Sequence, residues 1–267
     1  MQLLIISRNL ILAQVAADCI SVPVESGAEW ASTFDCYRRE ERCLGSLAGQ
    51  RATELQEAHR ERVARNEVQA STLWAQPCLA YNVQIELDAR TRASLGKTQQ
   101  ALERAEPGLL ACPGNALHVS VAWLLAVHAS YPVSKDSLWE RHGGEWIAEL
   151  SSIAAGSTGF RITNERVVAT DSAVIALAEP TEPVNRIRRM IRERLSLPAE
   201  TRNEAELVHT TLFRYSGPLS DPEKFISMLE DTGAEATTEV DELVVSKELV
   251  YPSLEAEVLA RLPLAPR

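Results

Sequence analysis

Residues 117–124 read LHVSVAWL and residues 208–214 read VHTTLFR. Each stretch sets a histidine two positions before a hydroxyl residue inside an apolar run. Apolar runs of this length rich in Val and Leu predict strands, and side chains alternate faces along a strand. His118 therefore shares a face with Ser120, and His209 with Thr211. Leu117, Val119 and Val121, like Val208 and Leu212, turn to the opposite face, toward a core under helices. Each strand presents one imidazole and one hydroxyl on a polar face. Two such strands meeting would gather both pairs around one pocket. The two histidines stand 91 positions apart in similarly apolar surroundings.

Working outward, LAYNVQIEL (79–87) alternates as a strand and TRASLGKTQQALERA (91–105) reads as a helix. ALHVSVAWLLAV (116–127) is the first histidine strand. SLWERHGGEWIAELSSIAAG (137–156) reads as a short helix with His142-Gly143-Gly144 as a loop. FRITNERVVATDSAVIALAEP (160–180) reads as two strands around a polar turn. EPVNRIRRMIRERLSL (182–197) is an amphipathic helix, with Val184, Ile187, Ile191 and Leu195 on one face and Pro183 at its start. The second histidine strand follows. DPEKFISMLEDTG (221–233) is a helix with Asp221 as N-cap, and DELVVSKELV (241–250) and LEAEVLARLPL (254–264) close as strands.

A strand–helix–histidine-strand unit thus occurs twice without sequence repetition. Short turns between strands predict an α+β fold: two pseudo-symmetric lobes of antiparallel sheet, helices packed outside, and a central cleft. The chain changes character near residue 71. LAGQRATELQEAHRERVARNEVQAS (47–71) is rich in helix formers, lacks proline and has only the sparse apolar positions Leu47, Leu55, Val63 and Val68. Residues 1–70 are read as a mostly helical N-terminal extension and 71–267 as the two-lobed domain. The opening MQLLIISRNLILAQVAADC lacks a basic start and reads as a buried helix or strand rather than a cleaved signal.

The 267 residues carry 27 basic and 37 acidic side chains, a net charge of −10. Binding to a nucleic-acid duplex rests on neutralising many phosphates, which argues against such a partner. A small anion, a nucleotide or an RNA terminus, stays compatible. No apolar stretch approaches a membrane span. The five cysteines, Cys19, Cys36, Cys43, Cys78 and Cys112, are odd in number and contain no CxxC pair. They suggest reduced thiols in a cytoplasmic protein and no zinc site of ordinary spacing.

Two imidazoles and two hydroxyls suit phosphodiester hydrolysis. Imidazole titrates near neutrality, so one ring can take a proton from water while the other gives one to the leaving alcohol. The hydroxyls would donate to the phosphoryl oxygens. This chemistry asks for no metal and no cofactor. Other features read as structure: His128-Ala129-Ser130 as a loop, the arginines 186, 188, 189, 192 and 194 as a solvated helix face, and Tyr81, Trp123, Trp139 and Tyr251 as packing.

The two histidine segments resemble the signature of the two-histidine (2H) phosphoesterases, a family that includes bacterial 2′-5′ RNA ligase-like proteins and cyclic phosphodiesterases. Its first motif reads like LHVTLxFL and its second like HITLAR; here they are LHVSVAWL and HTTLFR. The resemblance spans about residues 75–267. It implies catalytic roles for His118 and His209 and phosphate contacts for Ser120 and Thr211. Phe213 stands where the family has a small residue; on strand parity it shares the face of His209 and would narrow the pocket or stack on a base. Arg214 matches the family's arginine, but parity turns it away from the pocket, so a structural role is expected. The function implied is metal-independent hydrolysis of a nucleotide or RNA-end phosphodiester, foremost a 2′,3′-cyclic phosphate. RNA 3′-end trimming, cyclic-oligonucleotide cleavage and a non-catalytic nucleotide-binding module are the alternatives.

Overall fold

In a computed structural model, residues 57–201 and 207–267 are described. The reading of residues 1–19 as a helix or strand lies outside them, as does the start of the helix predicted over 47–71. Residues 57–64 are helical, with Val63 fully buried.

The elements that follow are β1 (Pro77–Glu86), α1 (Ala89–Ala105), β2 (Leu109–Ala111), a 3-10 turn (Gly114–Ala116), β3 (His118–Leu125), α2 (Lys135–Ala155), β4 (Phe160–Ala169), β5 (Ala173–Glu179), α3 (Glu182–Arg194), β6 (His209–Tyr215), α4 (Pro222–Glu230), β7 (Gly233–Val240), β8 (Glu242–Val250) and β9 (Glu255–Pro263). They form an α+β fold with one curled sheet in the order β7-β4-β5-β6-β3-β1-β8-β9, with β2 also pairing β6. Every pair of named strands is antiparallel.

The sheet divides into two lobes where β3 meets β6. One lobe holds β3, β1, β8 and β9 and is backed by α2 and α3; the other holds β6, β5, β4 and β7 and is backed by α1 and α4. The helices nearest the histidine strands are therefore exchanged. α1 comes early in the chain and covers the second lobe, while α3 comes late and packs on β3. The last two strands also return to the first lobe, because Asp241 alone separates β7 from β8.

Local signals account for most elements. The Asp88 carboxylate caps α1 by accepting from Thr91 N at 2.7 Å, and Ser134 caps α2 through Ser137 N at 3.1 Å. Asp221 caps α4 through Lys224 N at 3.1 Å, ahead of Pro222. The face of α3 predicted to be apolar is buried at Val184, Ile187, Ile191 and Leu195, each worth about 1.5–3 kcal/mol of transfer free energy.

Three elements differ from their sequence reading, among them the short β2, which that reading lacks. His142-Gly143-Gly144 lies inside the 21-residue α2 rather than in a loop. A Cβ on Gly143 would lie 2.7 Å from the Trp139 ring, so the glycine makes room for an indole, and packing outweighs its poor helix propensity. β7, GAEATTEV, has no counterpart in the sequence reading: its inward side chains are Ala234, Ala236, Thr238 and Val240, too small a hydrophobic signal to stand out. No helix among the described residues is long and apolar enough to cross a membrane.

Candidate active site

β3 and β6 are joined at Val119 opposite Thr210. In the antiparallel register that this pair sets, His118 lies across from Thr211, and Ser120 across from His209. Val119 and Thr210 are fully buried, while the four residues flanking them are half-buried on the other face. The sheet thus brings together the four residues singled out from the sequence.

Beyond each hydroxyl residue the alternation breaks. Along β1 and β3, Gln84 pairs with Ser120 but Val83 pairs with Ala122, leaving Val121 as an extra residue. Along β5 and β6, Ile175 pairs with Thr211 but Val174 pairs with Phe213, leaving Leu212 as an extra residue. Each is a β-bulge, which shifts the facing of everything after it by one position. Trp123 and Arg214, five positions after their histidines, are carried onto the site face, and both line the cleft.

This overturns three expectations. Phe213 is fully buried in the core, against Ala111 of β2 in register, and cannot stack on a base from there. Arg214 faces the cleft; its guanidinium lies 5.5 Å from the Tyr251 ring centroid, and Nη1 donates to Ser172 O at 3.3 Å. Trp123 and Tyr251, read as packing, contribute to the cleft wall. A signal was available: two successive apolar residues, Val121-Ala122 and Leu212-Phe213, follow the hydroxyl residue in both strands.

The cleft measures about 350 Å³. His118, Ser120 and Thr211 line it along with Trp123, Arg214 and Tyr251, and residues 69–73 form another part of its wall. His209 is half-buried and stands outside that wall. The strap at 69–71 is tied to the second lobe, with Gln69 N on Asp171 O at 2.7 Å and Ser71 N on Tyr215 O at 2.8 Å. Among the described residues no group of three or more His, Cys, Asp or Glu is arranged to hold a metal ion.

One of the two rings is anchored to backbone, and the other faces a carbonyl in the equivalent place. His118 Nδ1 is 2.8 Å from Ala116 O, two residues back, and this fixes Nε2 toward Ser120 Oγ at 3.2 Å. His209 Nδ1 faces the Leu207 carbonyl in the equivalent place without reaching hydrogen-bond geometry. Burial depresses the His118 pKa, with a lesser push from the Arg214 charge. His209 is drawn down to about 4 by burial first, then by the Arg188 and Arg214 charges. Both shifts favour the neutral ring.

The arginine face of α3 is not uniformly solvated. Arg186 pairs with Glu182 and Arg194 with Glu149 at the surface, but Arg188 is 4% exposed and reaches the backbone of β3 and of the segment leading into β6. His128 lies in a loop, as read, yet lines the cleft, edge-on to Tyr251 at 5.8 Å.

No protein-family model matches the sequence, and no curated protein matches it. Solved structures do. TT0787 of Thermus thermophilus aligns over 70% of this chain and 99% of its own, with TM-score 0.51 and 17% identity. ATU0111 from Agrobacterium tumefaciens, a conserved protein of unknown function, aligns over 75% and 97%, with TM-score 0.51 and 11% identity. E. coli LigT in apo form aligns over 70% and 98%, with TM-score 0.48 and 15% identity. The two-lobed fold of this chain is the fold of TT0787 and ATU0111.

Proposed function

We propose that this chain is a phosphodiesterase of the two-histidine type that opens a 2′,3′-cyclic phosphate on a nucleotide or an RNA end. The observation that carries this reading is the Val119–Thr210 pair, which sets two imidazoles and two hydroxyls on one face beside a cleft. A volume of about 350 Å³ suits a ligand of mononucleotide size.

The reaction follows from the side chains. The phosphodiester anion enters beside Arg214, and the Ser120 and Thr211 hydroxyls donate to its non-bridging oxygens. Its negative charge raises the pKa of the nearer imidazole, which takes up a proton. The other, neutral imidazole accepts a proton from water as the water oxygen bonds to phosphorus. The P–O bond to one ribose oxygen breaks, and the protonated imidazole supplies that oxygen with its proton. The product is a phosphomonoester with a free neighbouring hydroxyl. Every proton is moved by this chain's own residues.

The test is hydrolysis of 2′,3′-cyclic nucleotides in the presence of chelator, with products identified by mass. Turnover that disappears in His118→Ala and in His209→Ala is the expected result. Full activity in either variant would remove the mechanism. With an RNA oligonucleotide as substrate, products shortened by one nucleotide would redirect the reading to 3′-end trimming, and calorimetric binding of a nucleotide without product would reduce it to a binding module.

A further inference from the structure

Two polar side chains occupy helix faces that are otherwise built for packing. Gln99 shares the buried face of α1 with Leu95 and Leu102, and Arg188 shares that of α3 with Val184, Ile187 and Ile191. Packing alone would be served as well by an apolar residue, so their polar atoms call for another account.

Their partners supply it. Arg188 Nε donates to Val121 O at 3.0 Å, and its Nη2 to Ser120 O at 2.8 Å and Leu207 O at 3.2 Å. Gln99 Nε2 donates to Leu212 O and Cys112 O, each at 2.8 Å, and Leu212 O also takes Cys112 N at 2.9 Å. Val121 and Leu212 are the extra residues of the two bulges. A bulge takes its backbone groups out of the regular ladder, and a buried carbonyl needs a donor from elsewhere.

The arrangement is reciprocal. α1 precedes β3 in the chain but holds the bulge of β6, and α3 precedes β6 but holds the bulge of β3. Each side chain also reaches the approach to the other histidine: Cys112 lies six residues before His118, and Leu207 two before His209.

We infer that Gln99 and Arg188 are a reciprocal pair of positioning residues, each fastening the bulge of one histidine strand to the chain leading into the other. They keep His118, Ser120 and Trp123 in register with His209, Thr211 and Arg214. The kinetic part of this inference rests on the phosphodiesterase reading above; the titration part does not. The charged and titratable groups acting on His209 are Arg188 from α3, Arg214 from its own strand and His118 from β3.

The experiment compares Gln99→Met, Arg188→Met and Arg188→Lys with the exposed neighbours Gln100→Met and Arg189→Met as controls. Melting curves establish which variants fold. With a 2′,3′-cyclic nucleotide, Gln99→Met and Arg188→Met lower kcat on the order of 100-fold with little change in KM, because misaimed catalytic groups still leave the anion its hydroxyls and Arg214. Arg188→Lys keeps the charge but loses the planar fork, so kcat falls with it as well. Should Arg188→Met not fold, Arg188→Lys decides the arginine's part. In ligand-free protein, histidine titration by NMR shows the His209 midpoint rising in Arg188→Met and held in Arg188→Lys. In Gln99→Met the His209 ring resonances move while the midpoint stays. Values of kcat equal to the controls, or His209 ring resonances unmoved in folded Gln99→Met and Arg188→Lys, overturn the inference. A wild-type protein without hydrolytic activity defeats the functional reading alone and leaves the titrations to judge the positioning role.

Discussion

Val119 and Thr210 face one another at the seam between the two lobes, and the site is symmetric about them. On either side of this pair a histidine of one strand lies opposite the hydroxyl residue of the other. Five positions beyond each histidine, a bulge delivers a different side chain to the cleft: an indole from β3 and a guanidinium from β6. A pseudo-symmetric frame thereby yields an asymmetric pocket, aromatic on one side and cationic on the other.

Replacing either imidazole removes a proton-transfer partner at a residue that is only partly buried. His118→Ala and His209→Ala each reduce cyclic-phosphate hydrolysis by about 100- to 10,000-fold. Their melting temperatures stay near wild type. A large loss of stability would instead assign the rings a structural role.

Arg214 meets the anion through charge-assisted contacts. Arg214→Ala raises KM, or the Kd for inorganic phosphate, by roughly 10- to 100-fold, with a smaller effect on kcat. Phosphate calorimetry checks this directly. Unchanged affinity would return Arg214 to the structural role expected from strict alternation.

Stability depends on pH through His209. Its folded pKa of about 4 lies below the ordinary value, so as pH falls from about 6.5 toward 4 the unfolded chain gains a proton that the folded chain refuses. Stability is complete above this window and is lost on acidification through it. His209→Gln flattens the fall in melting temperature, leaving the slopes of His118 and His128, which burial also depresses. An identical slope in the variant would show that His209 titrates normally.

Phe213 tests the bulge on β6 independently of catalysis. Phe213→Ala opens a core cavity and costs about 3–5 kcal/mol in urea unfolding, with no change in preference among cyclic nucleotides. A stable variant with altered base preference would mean that the ring reaches the cleft.

The glycine pair of α2 separates packing from propensity. Gly143→Ala drives a methyl into the Trp139 ring and destabilises by about 1–3 kcal/mol. Gly144→Ala, with nothing near its Cβ, stabilises by up to about 1 kcal/mol. Denaturant titration of both variants reads the difference. Equal effects would argue that the indole yields.

Periodicity and capping identified most strands and helices, and the repeated His-x-hydroxyl pattern the four residues around Val119 and Thr210, because alternation, N-cap chemistry and short motifs are written into short segments. What escaped that reading depends on neighbours distant in sequence. β7 is a strand because β4 offers it a ladder, and α2 runs through two glycines because Trp139 lies over one of them. Phe213 and Arg214 exchanged their expected faces because a bulge is defined only against the partner strand that lacks the extra residue. Arg188 left the solvated face of its helix because carbonyls from two other segments converge on it. One strand's own residues determine which side chains alternate; only the strand and helix beside it determine where that alternation is interrupted, and at this site the interruption chooses what faces the cleft.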